Sequence, residues 1–120
     1  MESILTSIKK LLGIAEDYNQ FDQDLIMHIN SVFSILNQLG VGPSEGFSIS
    51  DSFAVWDDFI PDNQKQNLVK SYMFLKVKLL FDPPLASAVI ESINRQISEC
   101  EWRLNVIAET KEETEGGGTE

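Results

Sequence analysis

Residues 64–84 read QKQNLVKSYMFLKVKLLFDPP, and the fold turns on how that stretch is taken. Leu68, Tyr72, Leu75 and Leu79 recur at helical spacing and predict a helix from about Gln64 to Phe81. Met73, Phe74, Val77 and Phe81 stand on its other side, so the helix is apolar nearly all round. Such a helix is either central to its own domain or buried against another subunit. In 120 residues there is little chain to wrap it completely, which favours a subunit interface carried by Phe74, Val77 and Phe81. Asp82-Pro83-Pro84 ends it sharply, because a residue before proline is pushed out of the helical region. Both prolines also suit the first turn of a following helix, with Asp82 as its cap.

Downstream, Ala86, Val89, Ile90, Ile93, Ile97, Cys100 and Leu104 form one stripe and predict a helix running to about Ile107. Trp102 falls about 160° from that stripe, on the side of Arg95 and Val106, counting 100° per residue. It either meets a partner, where Trp and Arg are enriched, or is covered by the first helix or the long loop. Upstream, Ile4, Leu5, Ile8, Leu11 and Leu12 followed by Gly13 predict a helix over Ser3–Leu12. Asp22 is the expected cap of a second helix with the stripe Leu25, Ile29, Val32, Leu36 and Leu39, closed by Gly40. Between Gly40 and Asn63 the periodicity fails. Gly40, Gly42, Pro43 and Gly46 open a loop, Phe47-Ser48-Ile49 alternates like a short strand, and Ser50, Asp51 or Ser52 would cap a short helix bearing Phe53, Trp56, Phe59 and Ile60. A connection this long inside a compact domain is often functional, so Phe53 and Trp56 join the candidate contact residues. The expected architecture is all-α: a small bundle of four main helices with a long structured loop carrying a short helix.

Two regions follow. Residues 1–108 form the helical domain, and residues 109–120, acidic and without anything to bury, are expected to be disordered. Nine basic against nineteen acidic residues give a net charge of −10. The tail carries −4 and the body −6, so tight binding to DNA, which needs cations to displace phosphate counterions, is disfavoured. No run of about 18 apolar residues is present to span a membrane. The N-terminus lacks the basic and apolar regions of a secretory signal. With Cys100 alone, no disulfide can form within the chain, as befits a reducing cytoplasm.

Catalytic chemistry finds little to stand on. His28 is the only histidine, and although Asp24 lies one turn before it, no nucleophile accompanies the pair; a partly buried structural histidine is expected. Cys100 falls on an apolar stripe and is expected to pack as a small apolar residue. Asp57-Asp58 and Glu112-Glu113 are neighbours that point apart on a helix, so neither pair converges on one point. Gly40-Val41-Gly42 lacks a P-loop lysine and follows no strand. No catalytic, metal or cofactor-binding residue is therefore assigned.

Three blocks of sequence bear a family likeness: Phe21-Asp22 through His28-Ile29-Asn30 to Asn37-Gln38-Leu39-Gly40-Val41-Gly42-Pro43; Tyr72 through Leu80-Phe81-Asp82-Pro83-Pro84; and Glu101-Trp102-Arg103-Leu104. In order and spacing they resemble head–tail connector (head-completion adaptor) proteins of siphophages and of prophages of low-GC Gram-positive bacteria, over about residues 2 to 107. The resemblance implies a non-enzymatic subunit made in the host cytoplasm and incorporated in the virion at the head–tail interface. It implies a dodecameric ring beneath the portal protein that extends the DNA channel. Duplex DNA would pass without tight binding, and a stopper or tail protein would dock on the far side. The alternative from composition is a small acidic phage or host regulator acting by protein–protein binding. The two differ in assembly, rings against monomers or dimers.

Overall fold

A computed structural model describes residues 2–118, with side chains through Glu109. Helix α4 (Asn63–Phe81) is its axis. Asp62 caps it, the side-chain oxygen accepting from the Gln64 and Lys65 amides at 2.9 and 3.1 Å, which satisfies two of the four amides a helix start leaves unbonded. Asp82, held before Pro83, leaves the helical region at φ −147°. Its carboxylate takes the Lys78 ammonium at 2.8 Å, a cation at the helix end where the dipole favours one. Around α4 pack α1 (Ile4–Leu12), α2 (Asp22–Gln38) and α5 (Ser87–Gly118). Val69, Tyr72, Met73 and Val77 have no exposed surface. The all-round apolar character of α4 is thus accounted for inside one subunit. Val77, expected at an interface, is core: three amphipathic helices, each needing only one stripe, enclose a fourth with about 100 residues.

α1 begins as expected, with the Ser3 hydroxyl accepting from the Thr6 amide at 3.0 Å, and ends at Gly13, whose φ of +81° suits glycine. At α2 the cap position belongs to Phe21 and Asp22 is the first helical residue. Asp22 is instead engaged by Lys9, whose side chain is only 3% exposed. The ammonium lies 2.9 Å from Asp22 Oδ1, as an ion pair without hydrogen-bond alignment, and donates to the carbonyls of Glu16 and Tyr18 at 2.9 and 2.6 Å. One buried cation thereby fastens the end of α1, the 13–21 turn and the start of α2.

The long loop is pinned by side chains rather than by a strand. Phe47–Ile49 pairs with no strand; the Asn30 side-chain amide does that work, donating to the Ile49 carbonyl at 2.9 Å and accepting from its amide at 2.8 Å. Its donor and acceptor imitate a neighbouring backbone edge. Ser3 and Val55 form an isolated antiparallel bridge. The short helix α3 (Trp56–Phe59) starts later than expected, and Ser50, Asp51 and Ser52 do not cap it; Asp58 reaches back to the Val55 amide at 3.0 Å. Trp56 is buried, its indole N–H donating to Ser7 Oγ at 2.9 Å. Phe33, Phe47 and Phe59 stack edge-on or tilted at centroid distances of 4.8–5.3 Å. Trp56, expected at a contact surface, belongs to this aromatic core, because the loop folds back over α1 and α2.

Pro83 and Pro84 lie outside α5, which opens at Ser87, so Asp82 does not cap it. α5 buries Ile93, Ile97 and Leu104. The buried Tyr72 hydroxyl donates to Glu101 Oε2 at 2.8 Å and ties α4 to α5. The sequence places the end of α5 near Ile107. The helix runs on to Gly118 instead, so the tail expected to be disordered is described in its backbone through residue 118, while side chains beyond Glu109 and residues 119–120 altogether lie outside the described set.

Two pairs of substitutions test these contacts in urea unfolding. A Cβ on Gly42 would sit 2.3 and 2.6 Å from Phe59 ring carbons, at a φ of +91°. Gly42→Ala is expected to cost about 3 kcal/mol, overpacking and backbone strain together. Gly46→Ala shares the φ of +91° but meets nothing closer than 3.9 Å, and should cost about 1 kcal/mol. Lys9→Ala strands Asp22 and two carbonyls and is expected to cost about 3 kcal/mol, whereas Lys10→Ala, which removes an exposed pair with Glu2, should leave the midpoint unchanged.

Candidate protein–protein interface

With Val77 and Trp56 assigned to the core, the other candidate contact residues fall in separate places. Phe81, half-buried, meets the Phe21 ring edge-on at 5.2 Å, and Phe21 in turn meets Tyr18 at 5.5 Å. Phe53 is 83% exposed on the long loop, beside a polar cavity whose rim includes Glu2, Thr6, Lys10 and Glu16. Its amide is held by Asp51 Oδ1 at 2.9 Å, which fixes the backbone and leaves the ring in solvent. Trp102 is 68% exposed; neither the first helix nor the long loop covers it. Arg95, also exposed, lies on the same side of α5.

Phe74 is half-buried at the floor of a cavity of about 380 Å³ that α4 leaves open between α1 and α5. Leu11 forms one wall, Gln96 the other, and Asn67, Lys70, Ser71 and Leu75 complete it. This is the one part of the second apolar face of α4 that reaches solvent through a cavity among those described.

Two surfaces were not foreseen. A groove of about 390 Å³, mostly apolar, lies between Gly40–Pro43, Ile60–Pro61 and the Ile107–Ala108 stretch of α5. Its signal in the sequence was the pair of proline- and glycine-bearing apolar segments at the two ends of the long loop, which only folding brings together. Leu85, on the turn between α4 and α5, is fully exposed; the prolines before it keep the turn out of the helix.

The surface is acidic by composition, and several of its cations are engaged within the chain. Lys9 is buried on Asp22, Lys10 meets Glu2, Lys78 meets Asp82 and Arg103 meets Glu99 at 2.7 Å. Lys70 sits 5.8 Å above the Trp56 ring. Solvent and partners are therefore met mainly by carboxylates, including Glu16, Asp17, Asp24, Glu45, Asp51, Asp57 and Glu91, all exposed.

Titratable groups that would serve chemistry are scarce. His28 is half-buried on α2. Burial pushes the Cys100 thiol above its ordinary pKa, with Arg103 opposing. Burial also raises Tyr72, and the carboxylate of Glu101 adds to it. Among the described residues no three His, Cys, Asp or Glu side chains gather as a metal site, and no helix is long and apolar enough to cross a membrane. What the molecule offers is apolar and aromatic surface set in an acidic field, an arrangement suited to docking other proteins.

No curated protein and no solved structure matches the chain significantly. The family model described as phage connector protein matches residues 4–111, from the first residue of α1 into the last turns of α5. An all-α subunit with docking surfaces agrees with that match, and the chain belongs to the phage connector protein family, structural components of the virion.

Proposed function

We propose that the protein is the head–tail connector subunit of a tailed phage, assembling as a ring, dodecameric by family likeness, beneath the portal protein. The ring continues the DNA channel, and its far side receives a stopper or tail protein. The observation that carries this reading is the combination of exposed aromatic side chains with an acidic surface on which Lys9, Lys78 and Arg103 are held by carboxylates of the same chain. A channel wall of that character repels phosphates evenly, so DNA slides past without being gripped. The half-buried lysines of α4, Lys65, Lys70, Lys76 and Lys78, then serve neighbouring acidic protein surface rather than DNA.

Two measurements test it. Phage lacking the subunit should accumulate filled heads and free tails that do not join, visible by electron microscopy, and tagged subunit should map to the head–tail junction. Joined, infectious particles without it would end this reading in favour of an acidic regulator. The free protein should also show no measurable retention on duplex DNA at physiological salt, weaker than about 1 mM. Salt-sensitive retention that disappears in Lys76→Gln/Lys78→Gln would contradict the proposed channel wall.

A further inference from the structure

The chain carries an anchor and a socket on different faces. Trp102 is 68% exposed and, at 100° per residue, points away from the Ile93–Ile97–Leu104 side of α5. Its indole N–H has no hydrogen-bond partner among the described residues, whereas that of Trp56 is buried and bonded to Ser7. The socket is the cavity over α4: its floor is Phe74 and Leu75, its wall Leu11, and its polar lining Asn67, Ser71 and Gln96 offers acceptors for an indole N–H. The charges also favour the pairing. The one charged residue lining the cavity is Lys70, while Trp102 shares its side of α5 with the exposed acids Glu91, Glu99 and Glu109 against one cation, Arg95, which leaves that side acidic.

We infer that Trp102 of one copy seats in the Leu11–Phe74–Gln96 cavity of the next copy. This deepens the proposed ring by naming the contact between its subunits, and it rests on that reading. Because anchor and socket are unlike surfaces, the contact is heterologous, the kind that repeats from subunit to subunit and closes a ring when the rotation allows. Tryptophan is the side chain most often found as such an anchor, seated in a pocket at the centre of an interface. The cavity of about 380 Å³ has room for an indole. One buried tryptophan covers about 150–250 Å², a fraction of the roughly 800 Å² per partner in a standard interface. Trp102 is therefore the central contact within a wider one.

The test uses the full chain, with sedimentation velocity and acrylamide quenching of tryptophan fluorescence followed together over a concentration series. Trp56 is buried, so quenching in dilute solution reports Trp102. As the protein associates, Trp102 should become protected and its emission shift to the blue. Trp102→Ala removes the anchor and Ser71→Arg fills the socket; both positions are exposed, so helix content by circular dichroism should be unchanged. Each variant should raise the concentration at which association is half complete by roughly tenfold or more. Association that leaves Trp102 fully quenchable, or that proceeds normally in both variants, would show that the copies meet elsewhere. A protein that stays monomeric throughout would equally overturn the proposal. Neither result touches the role at the head–tail junction, which the phage lacking the subunit decides separately.

Discussion

A helix with apolar side chains on every side has to be enclosed, and in this chain the enclosure of α4 organises everything else. α1, α2 and α5 each contribute one stripe, and Val69, Tyr72, Met73 and Val77 vanish from solvent between them. Each such side chain contributes on the order of 1.5–3 kcal/mol by leaving water, so the enclosure of this helix is a substantial part of what holds the subunit together. The arrangement nearly closes. Besides Leu80 near the helix end, what stays open is the strip floored by Phe74, and that gap turns a stability element into a surface with a shape.

Much of the architecture was legible from local signals. The span of α1, the Gly13 stop, the Asp82-Pro83 break and the stripes of α2 and α5 act within a turn or two, so each can be read from neighbouring residues. The misreadings share the opposite cause. The burial of Lys9, which no local signal marks, depends on two carbonyls and a carboxylate 7 to 13 positions away that the 13–21 turn brings to it. Phe47–Ile49 alternates like a strand, but its partner is the side chain of Asn30, 19 residues before Ile49, and no periodicity announces a side chain acting as a strand edge. Trp56 and Phe53 sit three residues apart on one loop, yet one is core and the other 83% exposed; the fold of the loop over Phe33 decides that.

The contact surface was half legible for a related reason. Helical phase alone puts Trp102 opposite the buried stripe, and the structure leaves it there. The groove at Gly40–Pro43 and Ile60–Pro61 joins residues about 20 apart to the Ile107–Ala108 stretch of α5, so no segment carries its signature. Charge works across the whole surface instead of at one site. Composition sets its sign, and the ion pairs of Lys9, Lys10, Lys78 and Arg103 add that part of its positive charge is already engaged within the chain.

Cys100 gives this economy a chemical counterpart. The thiol is half-buried on α5 and its proton is held more tightly than usual, so at neutral pH the thiolate, the form that attacks disulfides and reacts with oxidants, is scarce. A virion component is made in a reducing cell and then released into air. A lone, half-buried cysteine kept protonated is slow to enter mixed disulfides, so oxidants find little to act on at this position.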